Sequence, residues 1–308
     1  MSGAGLGSLV PSADLDREQR SLLRDAWRTF RRHRPAMFGL VALGLLALSV
    51  AVGPFVYREP INNIDFTRTL LTPSPTHPFG TDELGRDLLA RTLYGGRISI
   101  AVGVAAMLVA ITLGVTVGSL AGFFRRVDTP LMRLTDLMIS MPTLPLLLLV
   151  LLLFRDTLRS AFGPTIGIFV LIVSVIGLLN WMTVARLVRA AFLSTKQLDY
   201  VTAARAIGAR DLRLILRHIL PNVMSSVIVA ATIAVGAAII TESTLSFLGL
   251  GFPPDEPTWG RLLFDAQNLL DSAPHLALFP GALIFIAVIS INYIGDGLRD
   301  TLDPRRVD

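Results

Sequence analysis

The chain has 308 residues, of which 52% are hydrophobic and only 17% charged, and its formal net charge is +5. A soluble domain carries roughly a quarter charged residues, so this deficit requires long uncharged stretches of the kind that cross a bilayer. Cysteine is absent, which excludes a disulfide framework and a thiolate metal site, and four scattered histidines without HxxxH or HExxH spacing argue against a zinc enzyme.

The chain opens with a polar tail, residues 1–35, carrying Arg17, Arg20, Arg24, Arg28, Arg31, Arg32 and Arg34. Such a run before an apolar stretch is a topology anchor against anionic lipid. Nucleic acid is a poor partner for it, because nothing aromatic interleaves beyond Trp27 and Phe30. The first apolar run starts near residue 36, too late and too long for the core of a cleavable leader, and is expected to stay as a signal anchor.

Six uncharged runs are long enough to be spans: 36–56, 98–124, 137–154, 164–188, 223–248 and 276–294. At ~1.5 Å rise per residue, about 20 residues cross a ~30 Å hydrocarbon core. Each run must be helical, because a segment in lipid has to satisfy its own backbone groups. An even number of spans puts both termini on one side. The tail and the loops near 125–136 and 186–217 hold most of the 28 lysines and arginines, so that side is cytoplasmic.

Between the first two spans, Thr81 is expected to N-cap a helix whose first turn has Asp82 and Glu83. Leu84, Leu88, Leu89 and Leu93 share one face, as in a helix lying on the outer membrane surface, and Gly95-Gly96 end it. This helix is either a structural collar or a contact for an external protein. In the second span, Ala106, Ala110, Gly114, Gly118 and Gly122 recur every fourth residue and form a small ridge for close helix packing. The third span is short, with Pro142 and Pro145 near its start.

The loop between the fourth and fifth spans reads as a helix–turn–helix. Asp199 is expected to cap the first helix, Gly208 to break it, and Asp211 to cap the second. Leu212, Ile215, Leu216 and Ile219 then fall on one face, and Pro221 marks the start of the fifth span. Arg205, Arg210, Arg213 and Arg217 give it a basic flank. Glu242 is the single charge inside a span, read either as a pore-lining or gating group or as a carboxylate near the interface that caps the following helix. The external loop 249–273, with Pro253, Pro254, Pro257 and Trp259, is net acidic and offers a second receptor contact or a gate. The Arg/Asp string after 295 is expected to be a self-paired end.

The pattern Ala203-Ala204, Gly208, Ile219-Leu220-Pro221 resembles the "EAA" coupling loop of ABC-transporter permeases, with Thr202 where the motif has Glu. Three further segments, 77–87 (HPFGTDELGRD), 241–251 (TESTLSFLGLG) and 295–305 (GDGLRDTLDPR), resemble the C-type permease subunits of dipeptide, oligopeptide and nickel importers. The resemblance covers roughly residues 20–306.

It implies an all-α integral membrane protein with the six-helix type I ABC importer permease fold and cytoplasmic termini, in a bacterial inner membrane. The implied organisation is a cytoplasmic tail 1–35, a first span and external segment with its surface helix 36–97, a permease core 98–295 with coupling loop 198–221, and a cytoplasmic tail 296–308. Ala203, Ala204, Arg205, Ile207, Gly208, Ala209, Leu220 and Pro221 would couple to an ATPase. Glu242 and Ser246 would gate or line the pore, and Asp82, Arg86, Asp87 and Trp259 would meet an external receptor. The implied partners are a B-type permease, one or two P-loop ATPases and an extracytoplasmic substrate-binding protein.

No cofactor is expected in the chain itself; ATP and Mg belong to the ATPase subunits. A P-loop needs GxxxxGK and then Ser or Thr, and Lys196, the one lysine, has no glycine loop before it. An ion-coupled carrier is the alternative, but Ser174, Asn180 and Thr232 are few polar groups for one and no inverted repeat is visible. A membrane enzyme would need paired acids or a nucleophile–base pair, and none is visible. The cargo is open between dipeptide, longer peptide, nickel chelate and haem.

Overall fold

A computed structural model describes residues 22–302. Arg17 and Arg20 of the tail and residues 303–308 lie outside the described residues. Helices α1 (Leu22–Arg32) and α2 (Arg34–Val56) are separated at His33, whose Nδ1 accepts from the Ala36 amide and caps α2. α2 packs on α11 (His275–Leu302), and Gly39 allows it, since a Cβ there would stand 2.6 Å from Ser290 O.

The separate surface helix expected over 81–95 is absent. Asp82 Oδ1 accepts from the amides of Leu84 and Arg86, and Gly85 turns the chain at φ +72°, so 82–86 is a tight turn. The helix starts only at Leu88, capped by Asp87 rather than Thr81, and continues as α3 to Phe123. Gly95 and Gly96 do not end it. They sit inside α3, where a Cβ would overlap Pro257 O and the Trp259 ring respectively.

The small ridge does what its spacing suggests. Ala106, Ala110, Gly114, Gly118 and Gly122 are all buried. A Cβ on Gly114 would lie 2.5 Å from Val184 Cβ, and one on Gly122 2.5 Å from Phe192 Cβ. α3 and α6 (Pro164–Thr195) therefore meet almost backbone to backbone.

The expected third span is two helices, α4 (Arg125–Ser140) and α5 (Thr143–Phe162), bent by 88°. Residues 137–140 belong to α4. Met141, forced extended by the proline after it, has φ −75° and ψ 140° and makes the corner. Five helices are long and apolar enough to cross a membrane, or six if the bent pair counts as one span.

After α6 come α7 (Asp199–Ala206), α8 (Asp211–Arg213), a π-helical turn Leu214–Ile219 and α9 (Leu220–Phe247). The last three run on as one helix of 37 residues. The external loop contains α10 (Trp259–Ala266). The main core joins α3, α5, α6 and α9 through Val102, Leu147, Ile172, Ile176 and Leu245. A second cluster carries packing from α6 into the 198–221 loop through Val188, Phe192, Val201, Ala204, Leu214 and Ile219.

Candidate functional site

The 198–221 loop is held rigidly. Leu198, not Asp199, occupies the N-cap of α7; Asp199 is in the first turn, where a carboxylate still suits the helix dipole. Arg210 rather than Asp211 precedes α8. At the far end of α7 the Gly208 amide donates to Arg205 O and the Ala209 amide to Ala204 O, both at 3.0 Å. With Gly208 at φ +88° this is a Schellman stop, and Ala204 and Ala209 supply its apolar contact.

The loop has an inner and an outer side. Val201 and Ala204 are buried against Leu214, Ile215 and Ile219. Ala203, Arg205, Ile207 and Gly208 are exposed, Ile207 by 88%, and beside them Leu212 is exposed by 67%. Tyr200 Oη donates to His218 O, and Lys196 Nζ donates to Phe123 O at 2.7 Å, bracing the base of the loop.

The apolar face expected on the second helix is different. Leu212 and Leu216 are exposed, and Leu214 joins Ile215 and Ile219 inside. Pro221 is the cause: it has no amide to donate, and its ring would crowd the carbonyl one turn back. The turn before it widens, so that the Leu220 amide bonds to Ile215 O, five residues away. Leu220 is half-buried and Pro221 exposed within a continuous helix, rather than at the start of a new one.

The four residues expected to face an external receptor are enclosed within this chain. Asp82, Arg86, Asp87 and Trp259 are each at most 6% exposed. Arg86 Nε donates to Asp82 Oδ2 at 2.7 Å. Fully buried Arg91 stands 3.7 Å from the same oxygen and 3.8 Å from Asp265 Oδ2, and also donates to Ile61 O, Asn62 Oδ1 and Pro254 O. Burial pushes the Asp265 carboxyl up, while the Arg261 and Arg91 guanidiniums oppose that. Asp87 accepts from Tyr57 Oη at 2.7 Å and lies 2.8 Å from His77 Nδ1. Burial and the Asp87 carboxylate push the Tyr57 phenol up. This network staples the 57–87 segment to the external loop.

Glu242 is equally enclosed and faces no opening. Ser246 Oγ donates to its Oε1 at 2.7 Å and Ser99 Oγ to its Oε2 at 3.1 Å. Ser99 Oγ accepts from the Trp259 amide, and Trp259 Nε1 donates to Thr92 O. The carboxyl thus ties α3, α9 and α10 together; it neither lines an opening nor caps a following helix, the two placements read from the sequence.

A groove of about 590 Å³ opens between α6, α9 and α11, toward the end of the bundle that carries the 198–221 loop. Asn180, Thr183, Ser225, Ser226, Asp296 and Arg299 line it with apolar residues between them. Asp296 and Arg299 make no ion pair among the described residues, Asp300 lies 3.6 Å from His33 Nε2, and the rest of the Arg/Asp string lies outside the described residues.

Residues 86–308 match the family of binding-protein-dependent transport system inner membrane components. The chain belongs to this family. Residues 21–73 of the permease match the N-terminal transmembrane domain of oligopeptide transport permease C. A glutathione transport system permease protein of Pectobacterium atrosepticum is 37% identical over 292 residues, spanning 94% of this permease and 93% of its own length. An oligopeptide transport system permease protein of Bacillus subtilis is 36% identical over 292 residues, at 94% and 92% coverage. A dipeptide transport system permease protein of the same organism is 38% identical over 287 residues, at 92% and 86%. A solved chain of the MetNI methionine ABC transporter, in inward-facing conformations, superposes with TM-score 0.56 over 70% of the permease and 96% of its own length, at 18% identity, which bears on fold alone.

The permease is therefore a multi-pass inner-membrane subunit of the type I importer fold. Subunits of this family are not themselves the catalyst; they work with ATPase partners and a binding protein. That leaves nothing in favour of an ion-coupled carrier. The groove and the Arg91 network are features that reading the sequence missed. Asp82, Arg91 and Asp265 carry no local pattern that announces their pairing.

Proposed function

We propose that the chain is the C-type transmembrane subunit of an ATP-driven importer for di- or oligopeptides, with the 198–221 loop as its coupling element. The single observation that carries this is the exposed tip of Ala203, Ile207, Gly208 and Leu212 on a rigid base. Small and apolar groups on a protruding turn fit a groove on another protein, and the basic flank of Arg205, Arg210 and Arg213 suits an acidic rim. The peptide cargo is supported by the relatives, whose names span glutathione, oligopeptide and dipeptide transport.

In this reading the loop, both termini and the open groove are cytoplasmic, in keeping with the basic side of the chain. A homologous B-type permease faces this one across the pore, one or two kinds of P-loop ATPase grip the coupling loops and bind ATP and Mg, and an external receptor delivers cargo. ATP binding closes the ATPases and swings the helices between inward- and outward-open states. A nearly complete switch needs about 5.5 kcal/mol of differential binding.

The test is mild detergent purification of the tagged chain from its native membrane, with mass spectrometry of what accompanies it. A second permease and P-loop ATPases should be recovered, and the ATPases lost from Gly208→Asp while the chain still inserts. Recovery of the chain alone, or normal uptake by Gly208→Asp, overturns the coupling assignment.

A further inference from the structure

The groove between α6, α9 and α11 has the size of a small-ligand site, at about 590 Å³. Several threonine hydroxyls on the spans are already used. Thr112, Thr116, Thr232, Thr241 and Thr244 return their hydroxyls to a carbonyl one turn back. The hydroxyls of Thr183, Ser225 and Ser226 make no hydrogen bond among the described residues; that of Ser290 is free too, but these three line the groove. Hydroxyls left free on membrane helices await water or a ligand. Asp296 and Arg299 add one charge of each sign on the same wall, both exposed and both unpaired among the described residues.

Residues three apart on a helix have Cβ atoms about 5–6 Å apart, and longer side chains splay further. An extended chain spans at most about 3.6 Å per residue, so a dipeptide separates its ammonium and carboxylate by about 7 Å. On the peptide reading above, on which this rests, we infer that the groove is a release-side subsite for a zwitterionic dipeptide. Asp296 takes the ammonium end, Arg299 takes the carboxylate, and Thr183, Ser225 and Ser226 bond the peptide group between them. Both charges lie at the rim, half in water, so the hold is weak, as release requires.

The chain has no cysteine, so a single introduced one reports this groove in the assembled transporter. Inside-out vesicles carrying Ser226→Cys are treated with a charged, membrane-impermeant maleimide, with and without millimolar dialanine. Dialanine should slow labelling of Ser226→Cys and leave exposed Ser194→Cys unchanged. Adding Asp296→Asn should raise the dialanine needed for equal protection about tenfold. In that background dialanine and N-acetyl-dialanine should protect alike, whereas with Asp296 present the acetylated form should protect poorly.

If Ser226→Cys does not assemble, Thr183→Cys takes its place. Equal protection by both peptides with Asp296 present, or no protection by a dipeptide that whole cells do import, overturns the subsite and leaves the peptide reading standing. Failure of the wild-type transporter to import any di- or oligopeptide overturns that reading, and the subsite with it.

Discussion

Gly208 separates two explanations for any loss of coupling. Its φ of +88° lies in the left-handed region, and a Cβ there would meet nothing within 4 Å. Inside this chain a side chain at 208 therefore costs backbone conformation and no space. Alanine in that conformation costs about 1–2 kcal/mol, whereas asparagine visits it readily. The penalty falls on the turn closed by the Gly208 and Ala209 amides, and it should open that turn about 5- to 30-fold more often. Amide hydrogen exchange at position 209 measures this opening. Local order thus ranks glycine and asparagine above alanine. Docking keeps glycine first but reverses the other two, since alanine adds one methyl group to the tip and asparagine a carboxamide beyond it. The coupling reading expects ATP-driven peptide uptake to fall in the order glycine, alanine, asparagine, while protection at 209 is lowest in alanine. Uptake that tracks protection instead, with Gly208→Asn near wild type and Gly208→Ala impaired, refutes the reasoning.

Three more outcomes follow from the packing. Glu242→Leu strips the acceptor from two buried hydroxyls, Ser99 and Ser246, at about 1–3 kcal/mol for each orphaned group, and should lower the thermal aggregation midpoint in detergent. Glu242→Gln keeps an acceptor and should retain both midpoint and uptake; an unchanged midpoint in Glu242→Leu would remove the stabilising role. Gly114→Val forces α3 off α6 at a cost of about 1–3 kcal/mol or more, whereas Gly44→Val meets nothing within 4 Å. Size-exclusion yield of monodisperse protein should fall for the first alone, and equal yields would contradict backbone-close packing. Arg91→Met leaves Asp82 with Arg86 and Asp265 with Arg261 but orphans Ile61 O, Asn62 Oδ1 and Pro254 O, at about 1–3 kcal/mol for each, and should speed trypsin cleavage at exposed Arg68. Cleavage at the wild-type rate would mean that the 57–87 segment is held by something else.

The spans were legible because lipid imposes one demand on every residue they contain, and composition records it. The turn at Gly208 and the ridge from Ala106 to Gly122 were legible because helix geometry sets both by local spacing. What escaped was set by distant partners. Asp82 spends one carboxylate oxygen on two backbone amides and so postpones α3 to Leu88, which no helix-start pattern reveals. Arg86, Asp87 and Trp259 look like surface chemistry in a polar loop, yet Trp259 is bonded to α3 about 160 residues away, Arg86 lies beside Leu262 and Asp265, and Asp87 is closed in by Tyr57 and His77. Pro142 was placed near the start of a single short span; the structure puts a corner of 88° there. Ser225, Ser226, Asp296 and Arg299 each have an ordinary local explanation, and their meeting in one groove depends on how α9 and α11 lie together.

The unbroken helix from Asp211 to Phe247 has a mechanical consequence. At 1.5 Å per residue its 37 residues reach about 55 Å, from the 198–221 loop to the hub around Glu242. Turning such a beam by about 5° around its middle carries each end roughly 2 Å, in opposite directions. The widened turn beside Pro221 is where it can flex, one turn in from the loop. The subunit is then built like a rocker arm: a push at one membrane face arrives at the other with its sign reversed, and no chain of rearranging side chains has to carry it.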